Sequence, residues 1–191
     1  CFGYASWTDG CTKLEKLTIS KSNPYFKSVG GIIYSKDGSA IGPVPYGISF
    51  DSVNLSGVTK IWDYAFCGHS EITELNLPSH ITAVGDHAFQ DCKNLQTAYV
   101  PEAVRTIGDY AFAGCSLDVS DENMPEYYSI SILLSEGLES VGDYAFSRMY
   151  GLTYLNLPQS LTTLGKGTFA GDNRLLSMRI PAKVTVIPDY L

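Results

Sequence analysis

The chain has 191 residues, 45% of them hydrophobic and 17% charged; that excludes intrinsic disorder and allows a sizeable core. Thirteen Lys and Arg against twenty Asp and Glu leave a net charge of −7, which argues against a nucleic-acid partner, and no apolar run is long enough for a membrane span. Gly (18) and Tyr (13) are high and Met (3) is low, a mix suited to tight turns and half-buried flat surfaces rather than long helices.

The chain opens on Cys1, with no initiator Met and no leader before it. A processed chain or a piece of a longer one is expected, and a lipid-bearing Cys1 is one reading. Next, Asn23-Pro-Tyr-Phe-Lys-Ser-Val-Gly-Gly-Ile-Ile-Tyr-Ser-Lys-Asp-Gly38 has two apolar stretches and several turn residues.

From there one string recurs: Ile61-Trp-Asp-Tyr-Ala-Phe66, Val84-Gly-Asp-His-Ala-Phe89, Ile107-Gly-Asp-Tyr-Ala-Phe112, Val141-Gly-Asp-Tyr-Ala-Phe146 and Leu164-Gly-Lys-Gly-Thr-Phe169. The Phe-to-Phe spacings are 23, 23, 34 and 23, so one unit carries an insertion of eleven residues. It falls over 116–128, with Asp118, Asp121, Glu122, Glu126 and two tyrosines, and reads as a solvated spacer or a partner-binding loop. Ile187-Pro-Asp-Tyr190 starts a sixth copy that ends at Leu191, so the last unit reads as truncated.

Between these strings lies a second recurring piece. It reads Leu75-Asn-Leu77-Pro78, Ala98-Tyr-Val100-Pro101, Ile132-Leu-Leu134, Leu155-Asn-Leu157-Pro158 and Met178-Arg-Ile180-Pro181, with Leu17-Thr-Ile19 and Val53-Asn-Leu55 in the same column. Apolar, variable, apolar is the period of a short strand with one buried face, and the Pro ends it. The Asp of the other string reads as the N-cap of a short helical turn. A unit of 23 residues cannot bury its own stripe, but stacked units can. The expected fold is therefore an α/β solenoid: one domain over 1–191, with a parallel sheet of about seven short strands and short helical turns.

These two strings, at their fixed spacing, resemble the BspA-like, or Treponema-pallidum-type, leucine-rich repeats. The resemblance implies a right-handed coil and a surface or secreted location in bacteria or some protists. It also implies a β-hairpin inserted over 21–50, with two strands flanking the Lys36-Asp37-Gly38 turn. Gly30 departs from the Asp usual there. In the fifth unit, Lys166 and Thr168 replace Asp and Ala.

In a solenoid, equivalent residues form columns. The column His69, Cys92, Cys115, Met149, Asp172 invites a soft-metal reading, but the residues lie along a line, and packing with mostly free thiols is expected. A Cys92–Cys115 disulfide is geometrically awkward. A calcium ladder on Asp63, Asp86, Asp109 and Asp143 lacks converging acids. There is no nucleophile elbow, phosphate loop or dinucleotide fingerprint, and the three histidines suggest no triad. No enzyme and no cofactor are expected.

The outward side chains of the strands are the candidate site. They run Lys16/Thr18, Ser52/Asn54, Glu74/Asn76, Thr97/Tyr99, Ser131/Leu133, Tyr154/Asn156 and Ser177/Arg179. Tyr99, Leu133 and Tyr154 form an apolar patch on consecutive strands, with Asn76, Asn156 and Arg179 around it. Aromatic anchors in a polar ring are what a protein-binding surface needs. The expected function is binding of a protein partner, such as a host or matrix protein, at the cell surface in adhesion. A structural spacer of a larger surface protein, or glycan binding through the tyrosines, are the alternatives.

Overall fold

The computed structural model describes residues 14–116 and 129–191. Cys1, Cys11 and nearly all of the acidic insertion lie outside the described residues, and so do the expectations placed on them.

Eleven short strands follow in chain order: β1 (Phe26–Val29), β2 (Ile32–Ser35), β3 (Ala40–Ile41), β4 (Lys60–Ile61), β5 (Glu74–Asn76), β6 (Ala83–Val84), β7 (Thr97–Val100), β8 (Thr106–Ile107), β9 (Ser131–Leu134), β10 (Ser140–Val141) and β11 (Thr163–Leu164). They form two sheets, not one. In the first, β3, β4, β6, β8, β10 and β11 pair in parallel, one two-residue strand per coil. In the second, β5, β7 and β9 pair in parallel, and single bridges, Ile130 to Leu152 and Tyr154 to Ser177, carry the pairing further. The expected seven-strand sheet is thus a three-strand sheet with bridges. Leu17–Ile19 and Val53–Leu55 form no strand, and Phe50–Ser52 is a 3-10 turn instead. Prolines 78, 101, 158 and 181 lack the N–H that would extend a ladder, which keeps these strands short.

The expected helical turns are also corrected. Among the described residues that 3-10 turn is the only helical element. The Gly-Asp-Tyr-Ala-Phe string is a turn whose third residue has left-handed backbone: Tyr64, His87, Tyr110 and Tyr144 have φ of 58°, 56°, 54° and 54°. An α-helix cannot start through such a residue, so Asp caps no helix. Its Oδ1 accepts the backbone N–H of the equivalent residue one coil on: Asp63 from Asp86 (3.0 Å), Asp86 from Asp109 (2.8 Å), Asp109 from Asp143 (2.7 Å) and Asp143 from Lys166 (2.7 Å). The ladder explains why Lys166 is tolerated, since that position need only donate its N–H to Asp143. A third backbone ladder runs beside it, as in Phe66 N–H to Ala88 O (2.7 Å), Phe89 to Ala111 (2.8 Å), Phe112 to Ala145 (2.8 Å) and Phe146 to Thr168 (3.0 Å).

The interior is a column of stacked phenylalanines. Phe66, Phe89, Phe112, Phe146 and Phe169 follow at centroid separations of 5.3, 5.4, 5.5 and 6.0 Å, near parallel. Leucine, isoleucine and valine from both sheets pack around them in one continuous core. A second aromatic column lies half-buried in the turns: Tyr64, His87, Tyr110 and Tyr144 stack at 4.5, 5.0 and 5.0 Å. Ring stacking of this kind offsets the cost of the left-handed backbone at each tyrosine.

The inserted hairpin is present, with β2 and β3 antiparallel on either side of Lys36-Asp37-Gly38 as expected, and it carries a second turn before β2. β1 and β2 are antiparallel, and Gly30 and Gly31 (φ 60° and 88°) join them. Two consecutive left-handed residues make the two-residue hairpin turn that matches strand twist, and they account for Gly30. Lys36-Asp37-Gly38 is the next turn, leading from β2 to β3. There the Asp37 carboxylate accepts from Ser35 and Ser39, which lowers its pKa to about 2.

Candidate functional site

The two faces of β5, β7 and β9 differ as their alternation requires. Leu75, Ala98, Val100, Ile132 and Leu134 are buried, while Glu74, Asn76, Thr97, Tyr99, Ser131 and Leu133 face solvent. Register places Asn76 beside Tyr99 and Tyr99 beside Leu133 on adjacent strands. On the next coil Tyr154 and Asn156 flank the buried Leu155, and Tyr154 bridges to Ser177, two residues from Arg179. Tyr99, Leu133 and Tyr154 are 39%, 58% and 62% exposed; Asn76, Asn156 and Arg179 are exposed too. The six residues therefore share one face, at the strand spacing of about 4.8 Å per step.

One member was missed. Leu176 is 86% exposed and stands where the other coils carry Thr73, Gln96, Ile130 and Thr153, of which the apolar Ile130 is buried. No sequence signal set it apart, because Ile130 is also apolar in that column. The face also has charged ends. Toward low numbers Ser49, Phe50, Asp51, Glu71, Ile72, Thr73 and Glu74 line a recess. Burial works against a charge on Glu71, but the hydrogen bond and charge of His69 and the backbone N–H groups hold its pKa below the ordinary value. Toward high numbers lie Arg174 and Arg179.

The column with potential metal ligands is buried packing. Cys67, Cys92 and Cys115 are thiols rather than disulfides. Sγ of Cys92 donates to Phe66 O (3.3 Å) and Sγ of Cys115 to Phe89 O (2.9 Å), and burial pushes the Cys92 thiol well up. His69 is 1% exposed, with Nδ1 on Glu71 (2.7 Å) and Nε2 on the Val44 carbonyl (3.0 Å). Among the described residues no three His, Cys, Asp or Glu side chains gather to hold a metal, and no helix there is long and apolar enough to cross a membrane.

The last member of that column, Asp172, is buried, and burial raises its pKa to about 8. Its Oδ1 accepts the Met149 N–H at 2.8 Å, while Oδ2 meets no partner among the described residues. A carboxyl whose pKa rises on folding binds its proton more tightly in the folded chain. Below about pH 4 both states are protonated and the group costs nothing. Between about pH 4 and pH 8 the unfolded chain ionises first, so stability falls as pH rises; above about pH 8 the full cost, a few kcal/mol, is reached. Urea midpoints are therefore expected to fall from pH 5 to pH 8, and Asp172→Asn is expected to flatten that slope.

No curated protein matches the sequence. Among solved structures, a leucine-rich repeat protein of Treponema pallidum matches at 26% identity and a TM-score of 0.59, over 87% of this chain and 72% of that one. A leucine-rich repeat protein of Bacteroides ovatus matches at 23% and 0.57, over 85% of this chain and 42% of that one. The pneumococcal vaccine antigen PcpA matches at 20% and 0.57, over 92% and 35%. The chain thus spans less than half of the Bacteroides protein and of PcpA. The family described as "BspA type Leucine rich repeat region" matches residues 46–128 and 127–191 in six copies. With the stacked coils, the two strand columns and this match over most of its length, the chain belongs to the BspA-type leucine-rich repeat family, a family of repeat proteins rather than enzymes.

Proposed function

We propose that this domain is a non-enzymatic binding module. It presents the outward face of β5, β7, β9 and the two coils that follow to a protein partner, outside the cell and in an adhesive role. One observation carries the reading: Tyr99, Leu133 and Tyr154 stand exposed on consecutive coils of a rigid stack, where the polar alternation calls for hydrophilic side chains. Large side chains with few rotatable bonds, fixed by strands and ringed by Asn76, Asn156 and Arg179, give contact area at low entropic cost. The family resemblance supports the location outside the cell.

A microarray of purified secreted and extracellular-matrix proteins tests it. Binding is expected, and Tyr99→Ala with Tyr154→Ala is expected to weaken it at least about thirtyfold, since anchor residues contribute about 2 kcal/mol or more. Hits that survive the double substitution count against this face. Hits confined to a glycan array favour the carbohydrate reading, and no hits on either leave a structural spacer.

A further inference from the structure

The outward face has an order that points to a particular partner. Leu133 is its middle. Counting coils from there, Glu71 and Glu74 lie two steps toward low numbers, and Arg174 and Arg179 lie two steps toward high numbers. One step away on either side stand Tyr99 and Tyr154. Basic residues are in the minority on this chain of net charge −7, yet a pair of arginines sits opposite the acidic end of the same face.

We propose that this face is self-complementary, and that it binds a second copy of the chain about a twofold axis parallel to the strands and passing through Leu133. This rests on the reading of the face as a binding surface and names its partner. Such an axis keeps the strand direction and reverses the coil order, so each coil meets its mirror position. Leu133 packs on the second copy's Leu133. Tyr99 meets Asn156 and Tyr154 meets Thr97, a tall side chain against a short one in both cases. Glu71 faces Arg174, and the long Arg179 side chain reaches Glu74 at the rim of the recess that Asp51 also lines. Glu136, the acid nearest the axis, is turned along the stack, with its oxygens on the Gln159 and Ser160 N–H groups (2.9 and 3.0 Å). An isologous contact of this kind repeats every pairing twice. Five coils bury about 1,000 Å² in total, the low end for a specific interface. The expected association is accordingly weak, with a dissociation constant of about 100 µM.

Sedimentation velocity of the 191-residue chain, from about 5 to about 500 µM, tests this. The expected result is a concentration-dependent shift from monomer to dimer that weakens with added salt, because rim charges are screened. Leu133→Asp is expected to abolish the dimer. Glu74→Arg or Arg179→Glu alone weakens it about tenfold, and the two together restore it. All three sites are exposed, and unchanged melting curves confirm that the variants fold. A chain that stays monomeric throughout, or a dimer indifferent to Leu133→Asp and to the charge swap, overturns the proposal. If the chain is monomeric yet binds arrayed proteins through Tyr99 and Tyr154, only the homodimer fails and the binding reading stands. If neither is seen, both fail.

Discussion

Phe112→Ala is expected to destabilise the protein by about 4 kcal/mol, measured as a fall in the urea midpoint. Phe112 is completely buried and stacks on Phe89 and Phe146 at 5.4 and 5.5 Å. Its removal takes away a large apolar side chain and leaves a void whose walls cannot close. The Phe112 N–H is held on Ala145 O (2.8 Å), and the Phe89 N–H on Ala111 O (2.8 Å), so the backbone spacing is fixed on both sides. Phe112→Leu keeps part of the volume and is expected to cost about half as much. Because each coil touches only its neighbours, the loss falls on the two interfaces that Phe112 joins.

A second substitution is expected to be at least as damaging, by overfilling. Gly85, Gly108, Gly142 and Gly165 form a column in which each coil lies directly on the last. A Cβ on Gly108 would stand 2.6 Å from the Asp86 nitrogen and 2.7 Å from the Gly85 carbonyl carbon, and on the Asp86 carboxylate. Those atoms are backbone, and the Asp86–Asp109 hydrogen bond of 2.8 Å ties the two coils at that spacing. Gly108→Val is therefore expected to cost about 4 kcal/mol or more, or to prevent folding at 37 °C, as read from thermal melts and soluble yield. Trp62 occupies the same column without penalty because the segment beneath it is different. It lies over Gly42 and meets the hairpin, with Phe26 edge-on to its ring at 5.7 Å.

Much of this was legible in the residues, for physical reasons that differ between elements. The Phe column and the Leu-x-Leu strands repeat at a fixed spacing, and burial of one face of a strand imposes a period of two. The two-residue strands were not legible, because Lys60–Ile61 and Thr106–Ile107 are too short to show any period. The Asp column was misread because a carboxylate before a turn suits a helix cap as well as a ladder, and local chemistry does not separate the two. A discriminating signal lay one coil beyond Asp143: Gly167 stands where Tyr64, His87, Tyr110 and Tyr144 stand, and glycine in that column marks a left-handed backbone that no helix start tolerates. The placement of Tyr99 and Leu133 followed from alternation alone. Leu176 did not, because it lies outside any strand, and the pairing of charged ends required knowing which coils lie two steps from Leu133.

Excision of one whole coil tests the stacked architecture most directly. Removing residues 84–106 joins Ala83 to Ile107, so that Asp63 meets Asp109, Tyr64 meets Tyr110 and Phe66 meets Phe112 in the register the deleted coil had held. Circular dichroism and a thermal melt of this shortened chain are expected to show a folded protein with the same type of spectrum and a cooperative transition, at a somewhat lower temperature. A chain that emerges unfolded or aggregated, while the intact one melts cooperatively, would contradict a core built coil upon coil.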